Sequence, residues 1–208
     1  MTSRSELLTR TSRWLRRSGD VDFDADLPTM LRSVESRLAR EVRHSSQEVV
    51  GTLSLTGRST TLPSNCLELR SISTQGSHRQ LELVTAEVLR EGNLWNSGGS
   101  PCYYAIHNRE VFVAPVASST APITLDITYW ARLPALIADT DTNALLTDNF
   151  DLYLYALLSE AAVYLQDDRA QIGYEAKYSD ARRNLTQADD DFRHSGSVPR
   201  RIGSGFVV

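Results

Sequence analysis

TNALLTDNFDLYLYALLSEAAVYLQDD, residues 142–168, is the stretch around which the chain is read. Thr147 or Asp148 stands where an N-cap belongs, and Asp148 and Asp151 put negative charge in the first turn, where free amides and the helix dipole favour it. Beyond the cap, Leu154, Leu158, Ala161 and Leu165 follow one helical face. Leu152, Tyr155, Ala156, Ala162 and Val163 leave little of the remaining circumference polar. A helix apolar on most sides must be enclosed by other elements, so the pattern predicts a core helix with partners on most of its faces.

Those partners are sought on either side. Asp167-Asp168 marks a break, after which Tyr174, Tyr178, Ala181, Leu185, Ala188 and Phe192 form one continuous stripe. Glu175, Asp180, Arg183 and Gln187 give that second long helix an exposed polar face. At the other end of the chain, Ser3 and Glu6 fit a capping box, and Leu7, Leu8, Thr11 and Leu15 predict a short amphipathic helix with Arg10, Arg13, Arg16 and Arg17 outward. Gly19 and the acidic run 20–26 interrupt it. Leu27, Met30, Leu31, Val34, Leu38 and Val42 then mark a second N-terminal helix, with Pro28 expected in its first turn.

From Gln47 the period changes to two. Val49, Gly51, Leu53 and Leu55 alternate with polar residues, Thr56-Gly57 offers a turn, and a second extended run ends at Leu62. Leu67 to Thr74 reads as a strand with both faces in use, and 81–84 as a short strand before a helical segment capped by Thr85. Residues 96–101 and 115–122 have loop composition. Between them, 103–106 and 111–114 predict a hairpin whose turn relies on Asn108 for positive φ; His107 there reads as a surface residue. Ile123, Leu125, Ile127 and Tyr129 give the clearest strand.

At 208 residues the chain suffices for one domain or a small pair, and its 41% hydrophobic and 23% charged residues fit a water-soluble globular fold. No apolar run reaches the length of a membrane span, and the N-terminus lacks a signal-peptide core, so a cytosolic product is expected. Cys66 and Cys102 lie far apart without a metal-ligand pattern and predict free thiols. A net charge of −4 argues against a protein that grips DNA through its phosphates.

The sequence holds no nucleophile elbow, P-loop, zinc-protease or dinucleotide motif and no convincing carboxylate pair, so no catalytic residue, cofactor or metal ligand is assigned. What stands out is residues 194–208, rich in Gly, Ser and Pro yet carrying Ile202, Phe206, Val207 and Val208 just after Arg200 and Arg201. This composition predicts an extended arm that orders on a partner, each large apolar side chain contributing roughly 1.5–3 kcal/mol when buried.

The blocks LPSNCLELRSIS, PCYYAIHNREVFVAPVA, ITLDITYWARLPAL and NALLTDNFDLYLYALLSEAAVYLQDD, in that order, resemble the head-to-tail adaptor (connector) proteins of tailed bacteriophages, the group that includes tail tubular protein A. The likeness spans residues 5–193. It departs from the family at Cys102, where a variable residue is expected, and at Asn108-Arg109, where glycine is common. It implies an α+β subunit: a helical bundle with an inserted antiparallel β domain. The periodicities accommodate this, with residues 1–46 and 140–193 as the bundle (two N-terminal and two long C-terminal helices), 47–139 as the β domain and 194–208 as the C-terminal arm. It further implies a homo-oligomeric ring, a dodecamer, at the head-tail interface of a virion assembled in the host cytoplasm. The ring would sit below the portal protein, meet a tail or nozzle protein, and let double-stranded DNA pass during ejection without binding it specifically. The portal-binding arm would then be Arg200, Arg201, Ile202, Phe206, Val207 and Val208.

Two other readings remain at this point. A DNA-binding module would need the arginines of the first helices to form one uncompensated patch. A hydrolase acting on polysaccharide would need paired carboxylates across a cleft.

Overall fold

The computed structural model describes residues 2–75, 79–91, 99–116 and 122–194. In chain order the elements are α1 (Arg4–Trp14), α2 (Val21–Glu41), β1 (Glu48–Leu55), β2 (Ser59–Thr61), β3 (Cys66–Thr74), β4 (Glu82–Leu83), α3 (Ala86–Glu91), β5 (Tyr103–His107), β6 (Glu110–Ala114), β7 (Ile123–Ala131), α4 (Ala144–Asp148), α5 (Phe150–Tyr164) and α6 (Asp168–His194). The fold is α+β. Two compact units are formed, residues 2–46 with 133–194 and residues 47–132. Segment 133–139, read from sequence as the end of the β domain, goes with the helices: Leu136 is buried in their core and its amide donates to Glu35 Oε1 at 2.8 Å.

In the helical unit, Ser3 caps α1 by accepting from the Glu6 amide. The acidic run expected ahead of α2 is part of it. Asp20 is the N-cap, accepting from the Phe23 amide at 3.3 Å, and Asp22 and Asp24 occupy the first turn, where the dipole favours anions. Pro28 consequently stands inside the helix instead of in its first turn. The stripe Leu27, Met30, Leu31, Val34, Leu38 and Val42 is buried throughout.

Helix α5 lies against α1, α2, α4 and α6. Its start differs from the expected cap at Thr147 or Asp148. Asn143 caps α4 instead, accepting from the Leu146 amide at 2.8 Å while its Nδ2 donates to Tyr153 Oη at 3.0 Å. Asn149 then opens α5 without a side-chain cap bond.

Helix α6 begins after Asp167, whose carboxylate accepts from the Ala170 amide at 2.9 Å. Tyr178 and Leu185 are buried and Tyr174 and Ala181 half-buried, but Ala188 and Phe192, assigned by periodicity to the same buried stripe, are exposed. Length explains this. At 1.5 Å per residue the 27 residues of α6 span about 40 Å against about 22 Å for the 15 of α5, so its last turns pass beyond α5, and the side that stays covered there runs through Leu185 and Asp189. Glu175, expected on the polar face, is turned toward α2.

The other unit contains two sheets with strand orders β1-β7-β3 and β2-β6-β5-β4. The first is antiparallel, with β1 matched to β7 from Glu48↔Trp130 to Leu55↔Ile123. In the second, β2, β6 and β5 are antiparallel as expected, and β4 adds a parallel pairing with β5, which requires the crossover supplied by the connection containing α3. Leu53, Leu55, Ile72, Val111, Val113, Leu125 and Ile127 make its core. In β3, register shifts between Cys66 and Glu68 and between Leu69 and Ser71 break simple alternation, leaving Cys66, Ile72 and Thr74 buried. The β5–β6 turn takes positive φ at both Asn108 and Arg109, matching the twist of the strands it joins. Among the described residues, no helix is long and apolar enough to cross a membrane.

Candidate assembly surface

Polar contacts fix α2 against α6. Arg37 donates through both Nη atoms to the Glu175 carboxylate and through Nε to Glu41 Oε1 at 3.1 Å. Ser159 of α5 donates to Glu175 Oε2 at 3.1 Å, and Tyr178 Oη and Arg182 Nη1 donate to Glu41 Oε2 at 2.8 and 2.9 Å. The Arg37 guanidinium also lies 4.2 Å from the Tyr178 ring centroid. Hydrogen bonds from Arg37 hold the Glu175 carboxyl below its usual range. Burial works against ionised Glu41, but donation from Tyr178 and Arg37 outweighs it and lowers that carboxyl as well. Two turns beyond Arg182, Asp189, only 6% exposed, accepts from the Ser45 amide at 2.9 Å and from Arg193 Nε at 2.8 Å. Burial opposes its charge, yet these bonds bring its pKa down. Sequence periodicity did not pick out Asp189, because its role depends on a residue 144 positions away.

With the helices held in this way, exposed aromatic and apolar side chains from different helices come together along two edges of the unit. Along the first, Trp14 of α1 meets Tyr155 of α5 edge-on at 6.3 Å between centroids, with the indole 47% exposed. The Lys177 ammonium stands 5.4 Å from the Tyr155 ring, Arg10 stacks over Phe150 at 5.1 Å, and Arg13, the residue before Trp14, is exposed. This edge is aromatic and basic, although Glu6 pairs with Arg10 and Asp151 lies in the first turn of α5. Along the second, Tyr164 packs on Phe23 at 6.0 Å. The neighbouring Asp26 carboxylate, with smaller contributions from burial and from the charges of Asp22 and Asp20, raises the phenol's pKa. Val21, 80% exposed, and the exposed Asp22 and Asp26 complete this apolar and acidic edge.

Residues 2–202 match the family model described as SU10 adaptor protein. The chain belongs to that family. It is accordingly a bacteriophage adaptor, a structural component of the virion. No curated protein matches the sequence.

Of the residues singled out in the adaptor's sequence, Leu154, Leu158 and Ala161 are 4%, 0% and 0% exposed, and Leu165, at the C-cap of α5, packs partly buried against the same cluster. Arg200, Arg201, Ile202, Phe206, Val207 and Val208 lie outside the described residues. Of the arginines of the first helix, Arg10 pairs with Glu6, Arg17 with Asp20, and Arg4, at the start of α1, with Asp139, while Arg13 and Arg16 are exposed, so the face is compensated in part. In the open hollow beside α1, both carboxylates are engaged, Asp24 accepting from Ser12 Oγ at 2.8 Å and Asp139 from Arg4. Among the described residues no group of three or more His, Cys, Asp or Glu is gathered in the manner of a metal site. The open edges were missed in the sequence because Trp14, Val21 and Tyr164 belong to three different helices and meet their neighbours only in the fold.

Proposed function

We propose that the adaptor assembles into a homo-oligomeric ring, a dodecamer, below the portal protein, where it prolongs the DNA channel and presents the attachment surface for a tail or nozzle protein. The family match across nearly the whole chain carries this reading. A rigid helical unit with an enclosed central helix and apolar side chains on two open edges suits a part that functions by fitting between neighbours. The overall charge of −4 suits a conduit, since a wall that neutralised phosphates would retain the DNA it must release. Arg200, Arg201, Ile202, Phe206, Val207 and Val208 are the portal-binding arm in this reading, with many arms acting together to give avidity well above that of one.

Electron microscopy of the adaptor mixed with its portal protein tests the proposal. The intact chain should appear as a second ring below the portal. Deletion of residues 197–208 should leave a folded protein that no longer joins portals. Portal complexes without an added ring in the first case, or normal attachment of the truncated chain in the second, would contradict it.

A further inference from the structure

The two open edges leave the bundle on opposite sides. Tyr155, which carries Trp14, and Tyr164, which carries Phe23 and Asp26, are nine residues apart on α5, and at 3.6 residues per turn their side chains depart roughly 180° from one another. One edge presents Trp14 with Arg13 and Lys177; the other presents Val21 and Tyr164 with Asp22 and Asp26. We propose that these edges are the two halves of one contact between copies of the adaptor, the basic edge around Trp14 of one copy seated on the acidic edge around Val21 and Tyr164 of the next.

Four considerations favour a second copy as the occupant. Each edge offers large apolar groups that gain by leaving water, and the charges around them are opposite in sign, so the pairing supplies both burial and steering. A two-fold contact of either edge with itself would set like charges face to face. Nucleic acid would be repelled by the acidic edge. Complementary patches on opposite sides of one subunit also generate a head-to-tail contact, which closes into a ring when the rotation per copy allows. The inference rests on the ring proposed above and specifies which surfaces would build it.

Charge reversal tests the pairing. Arg13→Glu with Lys177→Glu makes both edges of a copy acidic, and Asp22→Arg with Asp26→Arg makes both basic. Circular dichroism and thermal unfolding check that each variant folds. Copies bound per portal are counted by native mass spectrometry, with the portal titrated at fixed salt. Each variant alone should fill portals at least about tenfold less readily than the wild type. An equimolar mixture should recover, because every junction then joins an acidic edge to a basic one and the two variants alternate. Wild-type filling by either folded variant alone, or failure of the mixture to recover, overturns the pairing and leaves the ring reading standing. Wild-type adaptor that adds no copies to the portal overturns both.

Discussion

Helices α5 and α6 lie side by side and are positioned by different chemistry. In α5, Leu152, Leu154, Leu157, Leu158, Ala161 and Ala162 are all buried, and its neighbours cover it nearly all round. Its place is set by removal of apolar surface from water, a force without direction. Helix α6 buries Tyr178 and Leu185 but is tied at Glu175, Tyr178 and Asp189 by hydrogen bonds to α2 and to Ser45. Those bonds fix its register, which burial alone leaves loose. The contrast teaches that one helix supplies the cohesion of the unit and the other its geometry, and that an apolar stripe is buried only for as long as a neighbour runs beside it.

The largest expected effect breaks the first half of this comparison. Leu158→Asp places a charge at a site with no exposed surface and no partner, at a cost of about 4 kcal/mol or more. Circular dichroism should show loss of the helical unit's cooperative melting; an unchanged transition would mean that α5 is not enclosed.

Removal of the polar tie comes next. Arg37→Ala takes a donor from both Glu41 and Glu175, and because all three groups are partly exposed the loss should be about 1–2 kcal/mol in urea unfolding at neutral pH. The same carboxylates predict a pH dependence. Folded-state pKa values lowered from 4.5 mean that Glu41 and Glu175 contribute stability that is fully present above pH 4.5 and lost as pH falls through their lowered values. Glu35, raised by burial, works in the opposite sense there. Stability measured between pH 6 and pH 3 should fall less steeply in Arg37→Ala than in the wild type, about one pH unit either side of the ordinary carboxylate range. Parallel curves would remove Arg37 as the cause.

The smallest effect sharpens the boundary of the buried stripe. Phe192→Ala, at a site 73% exposed, should change stability by no more than about 0.5 kcal/mol despite its place in the helical pattern. A loss comparable to that of a core truncation, about 3 kcal/mol, would show that the end of α6 is covered.

The helical periodicities were legible because their causes are local. The stripe of α2, the cap of α1 and the alternation along β7 follow from residues within one or two turns of each other. The extent of burial along α6 was not legible, since it depends on how far its neighbours run beside it. Nor was the cap at Asn143, which is tied to Tyr153 ten residues away, or the parallel course of β4, which depends on how its crossover returns. In the assembly surface, Arg13 was visible as part of a basic helical face. That Trp14 and Lys177 would share one edge with it was not, because only packing around Tyr155 brings those two together.

Arg109 holds a left-handed conformation, with φ of 65°, in a turn where glycine would sit without strain. Its guanidinium nitrogen donates to the carbonyls of Pro63 and Ser64 at 2.7 and 2.9 Å. The hairpin tip thus works as a clasp on the neighbouring bend, which a glycine could not do. Arg109→Gly would relax the tip while unfastening that bend, and proteolytic nicking near residue 64 would report which of the two consequences governs the intact molecule.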